Sequence, residues 1–373
     1  MTTYKHLFTR ALAAVPERLH FAAHSHHLWP DASHEGQMDA WADAAHLADN
    51  KWELVMGLLW SEAQGHVASE LRLPDRTTVS FSPNTHDFLL RIFSAIDRAP
   101  VRVLSTDGEF HSFRRQMARW VESGVVMWDQ AGPDVLAQAA RAGDYDLIFA
   151  SHVLFSSGAI IDIEPLAALA GPQGPWVVID GYHGFMAIPT DLSTVADRIF
   201  YLAGGYKYAM AGEGVCFLHA PPEFARRPAI TGWYAEFDDL AQPPGSVGYA
   251  SDGRRFLGST FDPSGLYRFC AVRAMLEVEG LSTRVICDHV TRLQQLFLSE
   301  ARMPDMQLLN PLDDGPHARF LAFKGSGASK LHDSMAKHHV VTDVRGDVLR
   351  IGFGIYQDES DVDRLTVILK TIV

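Results

Sequence analysis

From residue 76 onward, short apolar runs alternate with stretches of helical periodicity. The runs cover 78–81, 101–105, 147–151, 176–180, 199–203 and 215–219. Helical spacing fills 86–96, 112–122, 133–142 and 164–170 between them. Continuous apolar runs of this length read as strands buried on both faces. Their alternation with helices predicts an α/β fold around a largely parallel sheet, with ligands at the carboxyl ends of its strands. Ahead of that pattern, 38–71 reads as one or two amphipathic helices and 1–40 as irregular. Around 221–258 the pattern dissolves into Pro221-Pro222, Pro243-Pro244-Gly245 and Gly248, a long functional loop or a domain connection. Helical spacing returns over 266–279 and 282–301. Strand-like 318–323, 340–343 and 348–353 follow, with helices at 328–337 and 359–372. The expected division is an N-terminal segment, 1–40, a large α/β domain, 41–255, and a small α+β domain, 256–373.

Composition narrows the class. A chain of 373 residues, 47% apolar and 21% charged, can bury two cores. Its formal charge of −13 argues against a nucleic-acid surface. No run approaches the roughly 18 apolar residues of a membrane helix. Lys5, Arg10 and Arg18 interrupt the start, so no secretory leader is expected. Cys216, Cys270 and Cys287 are widely spaced and odd in number, which predicts neither a disulfide framework nor a zinc motif and points to a reducing cytoplasm. No G-x-G-x-x-G follows the first strand, so a dinucleotide fold is disfavoured.

Candidate chemistry centres on Tyr201-Leu-Ala-Gly-Gly-Tyr-Lys-Tyr-Ala-Met-Ala-Gly-Glu-Gly-Val215. Lys207 stands on a small-residue loop beyond an apolar run, where desolvation would free its amine as a nucleophile. Asp180 closes a neighbouring run, as the partner of a pyridinium nitrogen would. Together they suggest pyridoxal 5'-phosphate (PLP) on a Schiff-base lysine. Asn84 and Thr85 stand between a strand and a helix, a ready anion site or a plain helix cap. Phe110 or His111 could stack on a ring or pack in the core. Arg350, flanked by apolar residues, wants an anion, either a substrate carboxylate or a structural partner. His24, His26 and His27 bring no spaced fourth ligand, and no metal is expected.

Taken in order, these residues resemble the class V aminotransferase family of fold-type I PLP enzymes, and kynureninase within it. Phe21 to Pro30 is similar to the family's "FLGNSLGLQP", keeping Ser25, which the resemblance places at the substrate. Phe110 to Phe113 falls on "FPSD", whose Phe stacks on the cofactor ring. Ser151 matches a cofactor-contacting serine. Asp180-Gly-Tyr-His183 matches "DLAH", with Asp180 on the ring nitrogen and His183 over the ring. Tyr206-Lys207 matches the pair that contacts the phosphate and carries the cofactor. Arg227-Pro-Ala-Ile-Thr-Gly-Trp233 looks like "RPxxxGW", whose Trp approaches a phosphate. Arg350 sits on the substrate-carboxylate arginine. The resemblance implies a homodimer with shared active sites, the 221–258 loop and Thr260 reaching the partner's phosphate.

The departures bear on the reaction. Thr260 follows Ser259 where kynureninase has an asparagine, Asp49 and Asn50 stand where a substrate-ring histidine is expected, and His24 and His27 replace an Asn and a Gly. By the resemblance, these positions correspond to the part of the kynureninase pocket that reads the substrate's aryl side chain. Cysteine desulfurases of the family carry a glutamine at the position of His183 and a loop cysteine in the C-terminal domain, which argues against desulfurase chemistry here. The function stays open between amino-group transfer or related Cα/Cβ chemistry and kynureninase-type Cβ–Cγ hydrolysis. A non-catalytic PLP or amino-acid binding protein is the alternative of another class.

Overall fold

The computed structural model describes residues 3–239, 245–303, 305–313 and 315–372. Pro243 and Pro244 of the Pro/Gly-rich stretch therefore lie outside the described residues. The apolar runs form strands β1 (Val79–Ser82), β2 (Val101–Thr106), β4 (Leu147–Ser151), β5 (Trp176–Asp180), β6 (Ile199–Gly204) and β7 (Cys216–His219). Val126–Ala131, which the pattern did not mark, is β3. It pairs with β2 alone, at the sheet edge, and only its first residue is buried, so it never reads as an apolar run.

The sheet order is β1-β7-β6-β5-β4-β2-β3, with β7 antiparallel to both neighbours and every other pairing parallel. This is the mixed, mostly parallel sheet that the sequence predicts. Alternation along a strand splits its side chains between two layers. Val178, Phe200 and Leu202 pack into one apolar cluster, with Phe88, Ile92 and Met117 from flanking helices. Val177, Ile179, Ile199 and Tyr201 pack into the cluster on the other face.

Helix α1 (Thr85–Ser94) begins directly beyond β1 because Asn84 caps it, its side chain accepting from the Asp87 N–H at 2.9 Å. Phe88, Leu89, Ile92 and Phe93 then share the buried face. Helix α2 (His111–Glu122) buries Phe113, stacked on Phe149 of β4 at 3.9 Å. Helix α3 (Ser264–Val278) lies against the Asp31–Leu47 helix, where a Cβ on Gly36 would come within 2.7 Å of the Tyr267 carbonyl oxygen. The close crossing therefore needs glycine there.

A second, antiparallel sheet holds Gln307–Leu308, Phe320–Lys324, Asp343–Arg345 and Val348–Gly352. Leu19–His20 pairs with Val340–Val341, which ties the start of the chain to this C-terminal layer. The helix expected over 164–170 is helical only across Glu164–Ala167, and the strand expected over 340–343 is broken into two short pieces at Thr342. Among the described residues no helix is long and apolar enough to cross a membrane.

Candidate active site

The carboxyl ends of β4, β5 and β6 open onto a cavity of about 240 Å³. Asn84, Thr85, Phe110, Ser151, Asp180, His183, Tyr206 and Lys207 line it, eight of the residues picked out from sequence. Register explains part of the convergence. Ser151 is the cross-strand partner of Asp180, and Asp180 of Leu202, so neighbouring parallel strands deliver their last residues to one edge.

Lys207 follows β6 on a loop that closes on itself. The Gly205 N–H donates to the Val215 carbonyl, and the Ala211 N–H to that of Gly205. Gly212 and Gly214 take φ of +72° and +90°, which their lack of a Cβ allows. Met210 is held at φ 56°, a conformation side-chain-bearing residues adopt mainly where the surroundings enforce it. Arg268 of α3 supplies part of that enforcement, donating to the carbonyls of Ala211 and Glu213.

The lysine itself is buried, and its ammonium donates to the His24 carbonyl at 2.8 Å. Burial, with the Arg350 charge adding to it, brings its pKa down to about 7. Asp180 moves the other way, up to about 6, because burial outweighs the Tyr182 N–H it accepts at 2.9 Å and the Lys207 charge. His183 is held well below its usual range by burial, then by Lys207 and Arg350, and its Nδ1 is buried with no hydrogen-bond partner. The result is a neutral imidazole, a carboxyl that ionises near neutrality and an amine that is half free at pH 7.

The other predicted residues fall differently. Tyr206 donates its hydroxyl to the Ser25 carbonyl, so Ser25 offers its backbone here and not its side chain. His111 is exposed and packs at a tilt against Phe110 and Phe155, outside the cavity lining. Trp233, 44% exposed, lies against Tyr234, and Thr260 is exposed; neither lines this chain's cavity. Arg350 is buried and donates to Asp343 at 2.7 Å and to the Phe155 carbonyl at 2.5 Å, the structural ion pair that the sequence left as the second option. Its Nε remains without a partner. Cys216 is buried against the Tyr182 hydroxyl and its thiol is pushed up to about 12. Cys287 lies inside the Thr283–Glu300 helix and not on a loop. Among the described residues, the one cluster of three ligand-type side chains is Glu62, His66 and Cys270, with none from His24 to His27.

Sequence reasoning missed His86, Ser112, Phe155 and Tyr182 in the lining, and Glu109 beneath it. His86, Ser112 and Tyr182 stand next to residues already marked, and Phe155 four positions after Ser151. Glu109 carries no signal of its own, since glutamate is almost never fully buried. Yet it is 0% exposed and accepts from Thr106 and from both the N–H and hydroxyl of Ser151.

Residues 287–369 match the family model described as the kynureninase C-terminal domain. The chain is 26% identical to isopenicillin N epimerase of Streptomyces clavuligerus over 374 residues, covering 88% of this chain and 89% of the relative. It is 23% identical to kynureninase of Geobacillus thermodenitrificans over 257 residues, 63% of this chain and 56% of the relative. In fold it is similar to a cystine C–S lyase bound to cysteine persulfide, with TM-score 0.83, 16% identity and 97% and 99% of the two chains covered. A variant of that lyase with glycine covalently linked to its PLP cofactor gives TM-score 0.84 at 16% identity over both whole chains. The fold is thus that of PLP-dependent enzymes of class V. The likenesses in sequence bear out the resemblance to that class, kynureninase included, and with it an enzyme that uses PLP.

Proposed function

We propose that the chain binds PLP through Lys207 and acts on an amino acid at its Cα or Cβ. One observation carries this reading: an amine brought down to about 7 shares a strand-end cavity with a carboxylate brought up to about 6. The residues present fit the group. The α1 N-terminus at Asn84 and Thr85 suits a phosphate, Asp180 a ring nitrogen, Phe110 and the orphaned His183 imidazole a ring, and Lys207 an aldehyde. Bound there, PLP would supply an electron sink for a bond breaking at Cα.

The chain's own groups do the rest. Asp180, ionised at neutral pH, holds a proton on the atom that faces it. Lys207, half neutral at pH 7, can take a proton from Cα and return it. Neutral His183 contributes a face without adding charge. Arg350 would meet a substrate carboxylate only by sharing its guanidinium with Asp343. A homodimer in which Trp233 and Thr260 face the partner's cavity would account for two predicted residues on the surface of one chain. Free Cys216, Cys270 and Cys287 suit a reducing cytoplasm.

Removal of the Cα proton is the step common to amino-group transfer and to epimerisation. The match over 287–369 and the kynureninase relatives favour Cβ–Cγ hydrolysis as the second reading. Incubating the PLP-loaded protein with a panel of amino acids in D₂O, and following loss of the Cα–H signal by NMR, tests both. Exchange with keto-acid-dependent amino transfer or with D-amino-acid formation supports the first reading, and anthranilate released from kynurenine the second. A panel in which nothing exchanges or turns over contradicts an enzyme and restores the binding protein.

A further inference from the structure

Glu109 lies in the loop between β2 and α2, under the floor of the cavity and outside its lining. Both of its oxygens are committed. One accepts from the Thr106 hydroxyl at 2.5 Å and the Ser151 N–H at 3.0 Å, and the other from the Ser151 hydroxyl at 2.5 Å. Ser151 therefore spends its only O–H hydrogen downward, and what its Oγ can show to the cavity is lone pairs. Its cross-strand partner is Asp180, the neighbour on the next parallel strand, about 4.8 Å away by sheet geometry. The two side chains at the carboxyl ends of β4 and β5 thus present acceptors side by side.

We infer that Glu109 is a positioning residue: by fixing the direction of the Ser151 hydroxyl, it makes the cavity floor beside Asp180 a pair of acceptors selective for a protonated ring nitrogen. The inference rests on the PLP reading above. Burial pushes the Glu109 carboxyl up to about 7, against the pull of the Ser151 and Thr106 donors, so the ionised, acceptor-only glutamate described here prevails above that pH. A glutamate kept at 0% exposure solely to fill space would be replaced by an apolar side chain at no loss, since an isolated buried carboxylate is costly. Its three donors, all aimed at the carboxyl from strand ends that meet the cavity, show a polar group built into a network.

Glu109→Gln tests this, because an amide can donate to the Ser151 Oγ and so turn its hydroxyl toward the cavity. The protein is loaded with PLP labelled with ¹⁵N in the ring. In the wild type the ring signal should report a protonated nitrogen. In Glu109→Gln it should move toward the unprotonated position, with the PLP dissociation constant raised about tenfold, the scale of one charge-assisted hydrogen bond. Ser151→Ala should do the same, and adding Glu109→Gln to Ser151→Ala should change nothing more, since the effect runs through Ser151. Thr106→Val, which removes one donor and keeps the glutamate, should move the signal the same way by a smaller amount, and decides the matter if the glutamine variant does not fold.

An unchanged ring signal in both Glu109→Gln and Thr106→Val overturns the proposal. So does a Glu109→Gln loss that persists in full on the Ser151→Ala background, the mark of a merely structural role. A wild type that takes up no PLP overturns the cofactor reading and this proposal with it; a wild type that loads normally beside unaffected variants overturns this proposal alone.

Discussion

At the amino ends of β2, β4 and β5, charge stands in pairs that reach solvent: Arg102 reaches Asp144 at 2.6 Å, both side chains more than a third exposed, and the exposed Arg98 reaches the more enclosed Asp146. At the carboxyl ends of β2, β5 and β6, Glu109, Asp180 and Lys207 are enclosed, and burial is the largest cause of every shift in their ionisation. The strands between are alike, apolar on both faces. Water explains the difference. Exposed ions keep their hydration and contribute little to stability, whereas enclosed ones lose it and are held only where neighbours compensate. Unfavourable charge kept at one end of a sheet and absent from the other marks where chemistry is done.

Changes at the carboxyl end should cost function and spare folding, and those at the amino end should do neither harm. The largest effect expected is for Lys207→Ala: no covalently held cofactor, and turnover down about 10³-fold, the range for losing a general base. Asp180→Asn, measured by steady-state kinetics on the loaded protein, should lose about 10²-fold with an unchanged circular dichroism spectrum.

The rate at which apoprotein captures PLP should rise with pH through about 7, falling about tenfold for each unit below it, because only the neutral Lys207 amine can attack. The same shift has a sign for stability. Lys207 binds its proton more weakly folded than unfolded, so between about 7 and its ordinary value of 10.5 the unfolded chain holds more protons and stability rises with pH. Lys207→Met, followed by urea unfolding at several pH values, should flatten that slope. Smallest of all, Arg102→Ala should cost less than about 1 kcal/mol in the same unfolding assay. A larger stability loss there, or no loss of turnover from the carboxyl-end variants, would erase the contrast.

How far the sequence shows this depends on what each residue is surrounded by. Leu147–Ser151, Trp176–Asp180 and Ile199–Gly204 are legible because strands covered on both faces must be apolar throughout. Asp180 and Lys207 stand out as polar residues at the ends of such runs, and they do meet in one cavity. Val126–Ala131 hides because an edge strand can be polar. Arg350 reads as an anion seeker, but which anion depends on Asp343, brought opposite it only when two strands pair. Glu109 is silent for the same reason: its donors come from β2 and β4, and only the folded sheet assembles them.

The central claim is that Lys207 grips the cofactor's aldehyde. Protein loaded with PLP, reduced with borohydride, digested and read by mass spectrometry should carry the reduced cofactor on the peptide containing Lys207. An adduct on another lysine, or none, would contradict the account.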